Sequence, residues 1–240
     1  MQEPALKRRR HQVDTSDGSS DQCCDVYRSV YSSKSKRWVK KEKMTFTNQH
    51  EQVLDLPLGG ALVLYPRWLY KRKRRMKQDI KRIKLVIKEL EDYTFFRQHR
   101  IQGTDEPRAH CLLHERATDK KDMTQPSYKY ASVLLKARPL KELPHLQSLA
   151  EDAKRFFGID EWKVGVNPVY YRDGKDHIGL HSDDDQGETL IFTAILKTSS
   201  RGRPVLVQPK RNAEGKFDDG AVRYEIWARQ GDAYKMDGKS

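Results

Sequence analysis

At 240 residues the chain can bury a substantial core in one domain and still carry a tail. Its 47 Lys and Arg outweigh 34 Asp and Glu, for a net charge of +13, the balance of a protein that meets a polyanion, most commonly nucleic acid. The longest apolar run, 56–69, falls far short of the roughly 20 residues that a membrane span needs, so no membrane partner is expected. No secretory signal is visible, because the first residues are charged with no apolar segment behind them. Cys23 and Cys24 are adjacent and Cys111 stands alone, which is no disulfide framework and fits a reducing compartment.

Residues 1–50 are polar and lack apolar periodicity, and they read as a disordered basic tail ahead of a folded domain at 51–240. Within the tail, Lys7-Arg8-Arg9-Arg10 resembles a nuclear-import cluster, so a nuclear location is expected, with the cytoplasm as the alternative. Ala61–Tyr65 reads as a strand stopped by Pro66. From Trp68 to Glu91 the apolar residues Leu69, Met76, Ile80, Ile83, Ile87 and Leu90 recur at helical spacing. The opposite face, running from Lys71 to Lys84, is dense in Lys and Arg. It is either a solvated helix face or a phosphate-contacting one. Tyr130–Leu135 reads as one strand. Pro144–Phe157 reads as a helix with Leu146, Leu149, Ala150, Ala153 and Phe157 inward and Gly158 as its left-handed cap. Strand-like runs follow at Lys163–Tyr171, Thr189–Lys197, Arg203–Gln208 and Ala221–Ala228, separated by turn-rich pieces. Helices first and short, spaced strands after give an α+β domain built on a double-sheet jelly roll.

The most informative segment is 167–185. It ends in His181-x-Asp183, and in extended chain residues two apart point to the same side, so both can grip one metal ion. A neutral nitrogen with a hard oxygen suits Fe(II), Mn or Zn. His177 lies four residues before His181, but the tyrosines and glycines around it argue for strand and turn, which gives it a structural role.

The run Tyr171-Arg172-Asp173-Gly174, then Ile178 and His181-x-Asp183-Asp184-Asp185, resembles the signature of the AlkB-type Fe(II)/2-oxoglutarate-dependent dioxygenases. Pro107-Arg108, Tyr128-Lys129-Tyr130, Leu143-Pro144 and Gly231–Gly238 resemble further pieces of that family. The resemblance implies a distorted double-stranded β-helix preceded by supporting helices. It implies Fe(II) held by His181 and Asp183, and 2-oxoglutarate held in part by Tyr171. It implies substrate contacts from Tyr128, Tyr130, Asp184 and Arg108, with Arg201 and Arg203 as further phosphate contacts. The implied reaction is oxidative dealkylation of DNA or RNA bases by a monomer, in alkylation repair. The pattern is not complete. Asn167 stands two positions earlier than the family's asparagine, no histidine follows His181, and the arginines expected beyond that histidine are missing. The resemblance therefore implies a domain whose last strands are missing at the C-terminus, with weak Fe(II) binding and little turnover as it stands. Two readings compete with it. One is a non-catalytic basic nucleic-acid-binding protein with a decayed iron site. The other is a nuclease using the acidic run 183–185 for Mg²⁺.

Overall fold

The computed structural model describes residues 24–46, 51–56, 60–70, 75–101, 103–118, 126–130, 133–173, 175–178, 190–209 and 211–236. In chain order the elements are β1 (Asp25–Ser32), β2 (Arg37–Lys43), β3 (Gln52–Asp55), β4 (Ala61–Tyr65), α1 (Met76–Asp92), β5 (Arg97–Ile101), β6 (Thr104–His110) and β7 (Leu113–His114). Then follow β8 (Ser127–Tyr130), β9 (Val133–Lys136), β10 (Arg138–Pro139), a 3-10 turn at Leu140–Glu142, α2 (Pro144–Phe157), β11 (Val169–Tyr170), β12 (Ile191–Ala194), β13 (Arg203–Val207), β14 (Val222–Ala228) and β15 (Ala233–Met236).

Two four-stranded antiparallel sheets, ordered β13-β14-β1-β2 and β12-β15-β4-β3, pack face to face. Val26 and Ile226 from the first sheet meet Leu54, Leu62 and Leu64 from the second in one cluster. All five are 2% exposed or less. Burying each such side chain contributes about 1.5–3 kcal/mol. The alternation of β4 decides what lies on either side. Leu62 and Leu64 point into the sandwich, whereas Val63 and Tyr65 point outward against Ile83 of α1 and Leu149 and Ala153 of α2. The second sheet is thus covered on both faces, as the jelly-roll-like α+β reading expects.

The helices lock to each other through polar contacts. Arg82 donates to Asp152 at 2.5 Å and to Ser148 at 3.1 Å. The Glu89 carboxylate accepts the amide N–H groups of His145 (2.9 Å) and Leu146 (3.0 Å), satisfying donors that a helix N-terminus leaves open. Gly158 ends α2 at φ 65°, ψ 35°, the left-handed cap that its position predicts.

Four expectations are corrected. The tail does not extend to residue 50, because β1 and β2 join the first sheet and Val26 reaches its core. The strand register with β14, from Asp25↔Trp227 to Val30↔Val222, holds β1 by backbone bonds, so few of its side chains need to be apolar. The helix expected from Trp68 begins at Met76. Residues 66–69 form turns instead, and Arg67 sits at φ 58° with its amide donated to Asp232 Oδ1 at 2.9 Å. Asp232 Oδ2 also accepts the amide of Arg229 at 2.8 Å, so one buried carboxylate joins the turn after β4 to the turn before β15. Burial pushes its carboxyl above the ordinary range, although those two amides work against the shift. Beside it Gly231 (φ +94°) lies so close to Tyr70 that a Cβ there would fall 2.1 Å from the ring. Finally, Tyr130–Leu135 is not one strand but parts of the β8–β9 hairpin, and the run at Lys163–Tyr171 shrinks to β11 plus a bridge at Val166. Gly165 interrupts that run at φ +121°, where a Cβ would lie 2.3 Å from the Leu113 carbonyl oxygen.

Candidate functional site

A small antiparallel sheet ordered β11-β6-β5 delivers the segment that leads to His181. Tyr170 pairs with Ala109, and the chain then turns sharply. Asp173 Oδ1 accepts the amides of Lys175 (2.7 Å) and Asp176 (3.1 Å), a side chain closing its own loop. Arg172 clasps Asp176 with two guanidinium bonds, Nε to Oδ2 and Nη2 to Oδ1, each 2.8 Å, while its amide donates to Oδ2 at 2.7 Å. Such a two-pronged charged pair fixes direction as well as distance. The Arg172 hydrogen bonds hold the Asp176 carboxyl down at about 2, against the opposing effect of burial. Nη1 of Arg172 reaches Gln98 Oε1 on β5 at 3.0 Å, and Gln98 Nε2 donates to the Glu106 carbonyl at 2.7 Å. The turn is therefore fastened to β5 and β6 before the chain runs on towards residues 181–185.

The start of β13 closes the other side. Arg203 Nη2 donates to the Asp176 carbonyl at 2.9 Å, and its guanidinium carbon stands 3.5 Å from the Tyr171 ring centroid. Tyr171 is half-buried, and its hydroxyl makes no hydrogen bond among the described residues. A phenol O–H with no partner among the described residues is a donor that suits a carboxylate ligand such as 2-oxoglutarate. Tyr171 thus stands where a carboxylate contact can be made. Arg203 serves the tyrosine and the turn.

Behind the turn, β6 aligns Glu106, Arg108 and His110 on one face, all buried. Arg108 Nε donates to Glu106 Oε1 and His110 Nε2 donates to Oε2, both at 2.6 Å. Burial favours the neutral acid at Glu106, but the bonds from Arg108 and His110 outweigh it and hold the carboxyl below its usual range. Burial pushes His110 down, only partly offset by Glu106, so it remains a neutral donor. Arg108 is 6% exposed, and its guanidinium is turned inward on Glu106. Cys111, next along, is pushed up to about 12 by burial and is an inert thiol.

Tyr128 is half-buried and packs against Leu112, Ala117, Leu135 and Ala137. Tyr130 lies on β8, with its side chain outside the described residues, as are His181, Asp183 and Asp184. Arg201 stacks on Trp227, 4.6 Å from the ring centroid. His177 is exposed and donates Nδ1 to the Lys175 carbonyl at 2.8 Å, a loop contact. Among the described residues no group of three or more His, Cys, Asp or Glu could hold a metal ion. His181 and Asp183 remain the donors that suit Fe(II) by type. Sequence reasoning missed Asp176 and Gln98, and it gave Arg203 to phosphate where the structure sets it on the Tyr171 ring and the Asp176 carbonyl. The i, i+2, i+4 set of charges at 106–110 was a visible signal for a strand with one polar buried face.

Residues 61–240 match the family described as the 2OG-Fe(II) oxygenase superfamily, and the chain belongs to it. That superfamily uses Fe(II) and 2-oxoglutarate, so the chemistry of this site is that of a dioxygenase. Among curated proteins none matches the chain.

Proposed function

We propose that this protein is an AlkB-type oxygenase that removes alkyl groups from the bases of DNA or RNA, acting as a monomer in the nucleus. The observation that carries the reading is the fastened turn at 171–178. It leads from an open, arginine-stacked tyrosine directly into His181-x-Asp183-Asp184-Asp185, within a chain of net charge +13. In this reading His181 and Asp183 hold Fe(II), which with 2-oxoglutarate supplies the oxidising chemistry. Tyr171 orients a carboxylate of 2-oxoglutarate through its hydroxyl. Arg203 keeps the tyrosine ring in place, and the Asp176–Arg172 pair sets the path of the chain towards His181. Asp184 faces the amino edge of the substrate base, and Tyr128 and Tyr130 flank a base taken out of its stack. The Lys7–Arg10 cluster supports nuclear import.

The test is succinate and formaldehyde release with Fe(II), 2-oxoglutarate and an oligonucleotide carrying N-methylated bases. The expected result is turnover that is raised by the methylated strand and abolished by His181→Ala or Asp183→Ala. Turnover indifferent to the oligonucleotide refutes the substrate class. Robust turnover that survives His181→Ala refutes the ligand assignment.

A further inference from the structure

The match to the oxygenase superfamily starts at residue 61, so β1 and β2 stand outside it. They nevertheless widen the first sheet, and their connecting turn forms a cleft with residues 211–217. Three half-buried aromatic rings lie there, each packed on the other two. The centroid distances are 5.4 Å for Tyr31–Trp38, 5.4 Å for Tyr31–Phe217 and 5.0 Å for Trp38–Phe217. Cations surround them. Arg211 lies 5.0 Å from the Phe217 ring centroid and Arg223 lies 4.8 Å from that of Trp38. Lys36 and Lys216 line the same cleft, and Lys34 and Arg37 are exposed on the turn beside it. The nearby acids are already engaged: Glu214 with Lys216, Asp218 with Asn212, and Asp219 with the amide of Ser33. Lys34, Lys36 and Arg37 make no ion pair among the described residues.

We propose that this cleft is a second binding surface for a single-stranded stretch of the nucleic-acid substrate, engaging nucleotides away from the reacting base. The inference rests on the nucleic-acid reading of the oxygenase site. Aromatic rings interleaved with cations are how proteins hold single strands, with bases on the rings and phosphates on the cations. The volume, about 280 Å³, falls just below the roughly 300–1,000 Å³ of pockets that enclose a whole small molecule. It suits one planar group of a longer ligand. Charge selects the partner, because a polyanion finds four exposed cations here, Lys34, Lys36, Arg37 and Arg211, against the two acids Asp218 and Asp219 that are not paired with a cation.

The test is fluorescence-anisotropy titration of the full chain with a labelled oligothymidine over a salt series, with vesicles of anionic phospholipid in parallel. Trp38→Ala is expected to weaken binding roughly 5- to 150-fold, the loss of one base stack. Lys36→Glu combined with Arg211→Glu is expected to lower the slope of log affinity against log salt by about 0.7 for each phosphate no longer neutralised. Both residues are exposed, so this double variant carries the test if Trp38→Ala fails to fold. If the oligonucleotide binds and neither variant matters, the cleft is refuted while the nucleic-acid reading stands. If the wild type binds no oligonucleotide, both fall together. Binding to the vesicles alone assigns the surface to a membrane and overturns the proposal.

Discussion

Replacing Asp176 by Asn removes the charge that Arg172 clasps while keeping the size of the side chain. Moving a carboxyl from its ordinary 3.8 to about 2 corresponds to roughly 2.4 kcal/mol of preference for the charged form in the folded chain. Asp176 is 5% exposed but its partner's side chain is 49% exposed, so solvent screens the pair and about 1 kcal/mol is expected in practice. The folded-state value is depressed, so this stability is present in full above about pH 4 and is lost as the pH falls towards 2. Urea unfolding of the wild type and Asp176→Asn, followed by fluorescence, should show a difference of about 1 kcal/mol at pH 7. It should shrink to about half that by pH 3, and at pH 7 it should lower the melting temperature by about 2–4 °C. An equal difference at both pH values, or none at pH 7, would show that the pair does not stabilise the turn by charge.

Tyr171→Phe deletes only the open hydroxyl and should raise the apparent dissociation constant for 2-oxoglutarate by roughly 10-fold or more, as the loss of a hydrogen bond to a charged group does; an unchanged constant removes the tyrosine from the cosubstrate site. Arg108→Leu leaves the Glu106 carboxylate buried with one donor fewer, and should cost about 3–5 kcal/mol in chemical unfolding. A loss below about 1 kcal/mol would mean that water reaches the cluster. Deleting residues 1–46 removes β1 and β2 and uncovers Ile226 and Leu62, so the shortened protein should aggregate or melt well below the full chain. Light scattering equal to that of the full chain would contradict the placement of Val26 in the core.

Where side chains decide the element, the fold is legible in the sequence. Pro144–Phe157 announces itself by an apolar face and a glycine cap, and Ala61–Tyr65 by an unbroken apolar run buried on both sides. Where the backbone or a distant residue decides it, the fold is not. β1 offers the core Val26 alone as a fully buried apolar residue and is held by its ladder with β14, whose partners lie about two hundred positions along the chain. Residues 66–69 have the apolar content of a helix, but the carboxylate of Asp232 captures the Arg67 amide and forces turns. The site divides in the same way. Its tyrosine and the proposed donors His181 and Asp183 form one local motif in the sequence. Arg203 and Gln98 come from other strands, and nothing in their own neighbourhoods marks them as supports of that motif.

The close approach of Gly231 to Tyr70 makes two distant positions a single unit of variation. A methyl group at 231 has nowhere to go unless the aromatic ring at 70 is cut back, so homologous chains should exchange the two together: glycine wherever the ring is kept, a larger residue only where it is absent. A paired substitution, Gly231→Ala with Tyr70→Ala, should accordingly be tolerated better than Gly231→Ala alone.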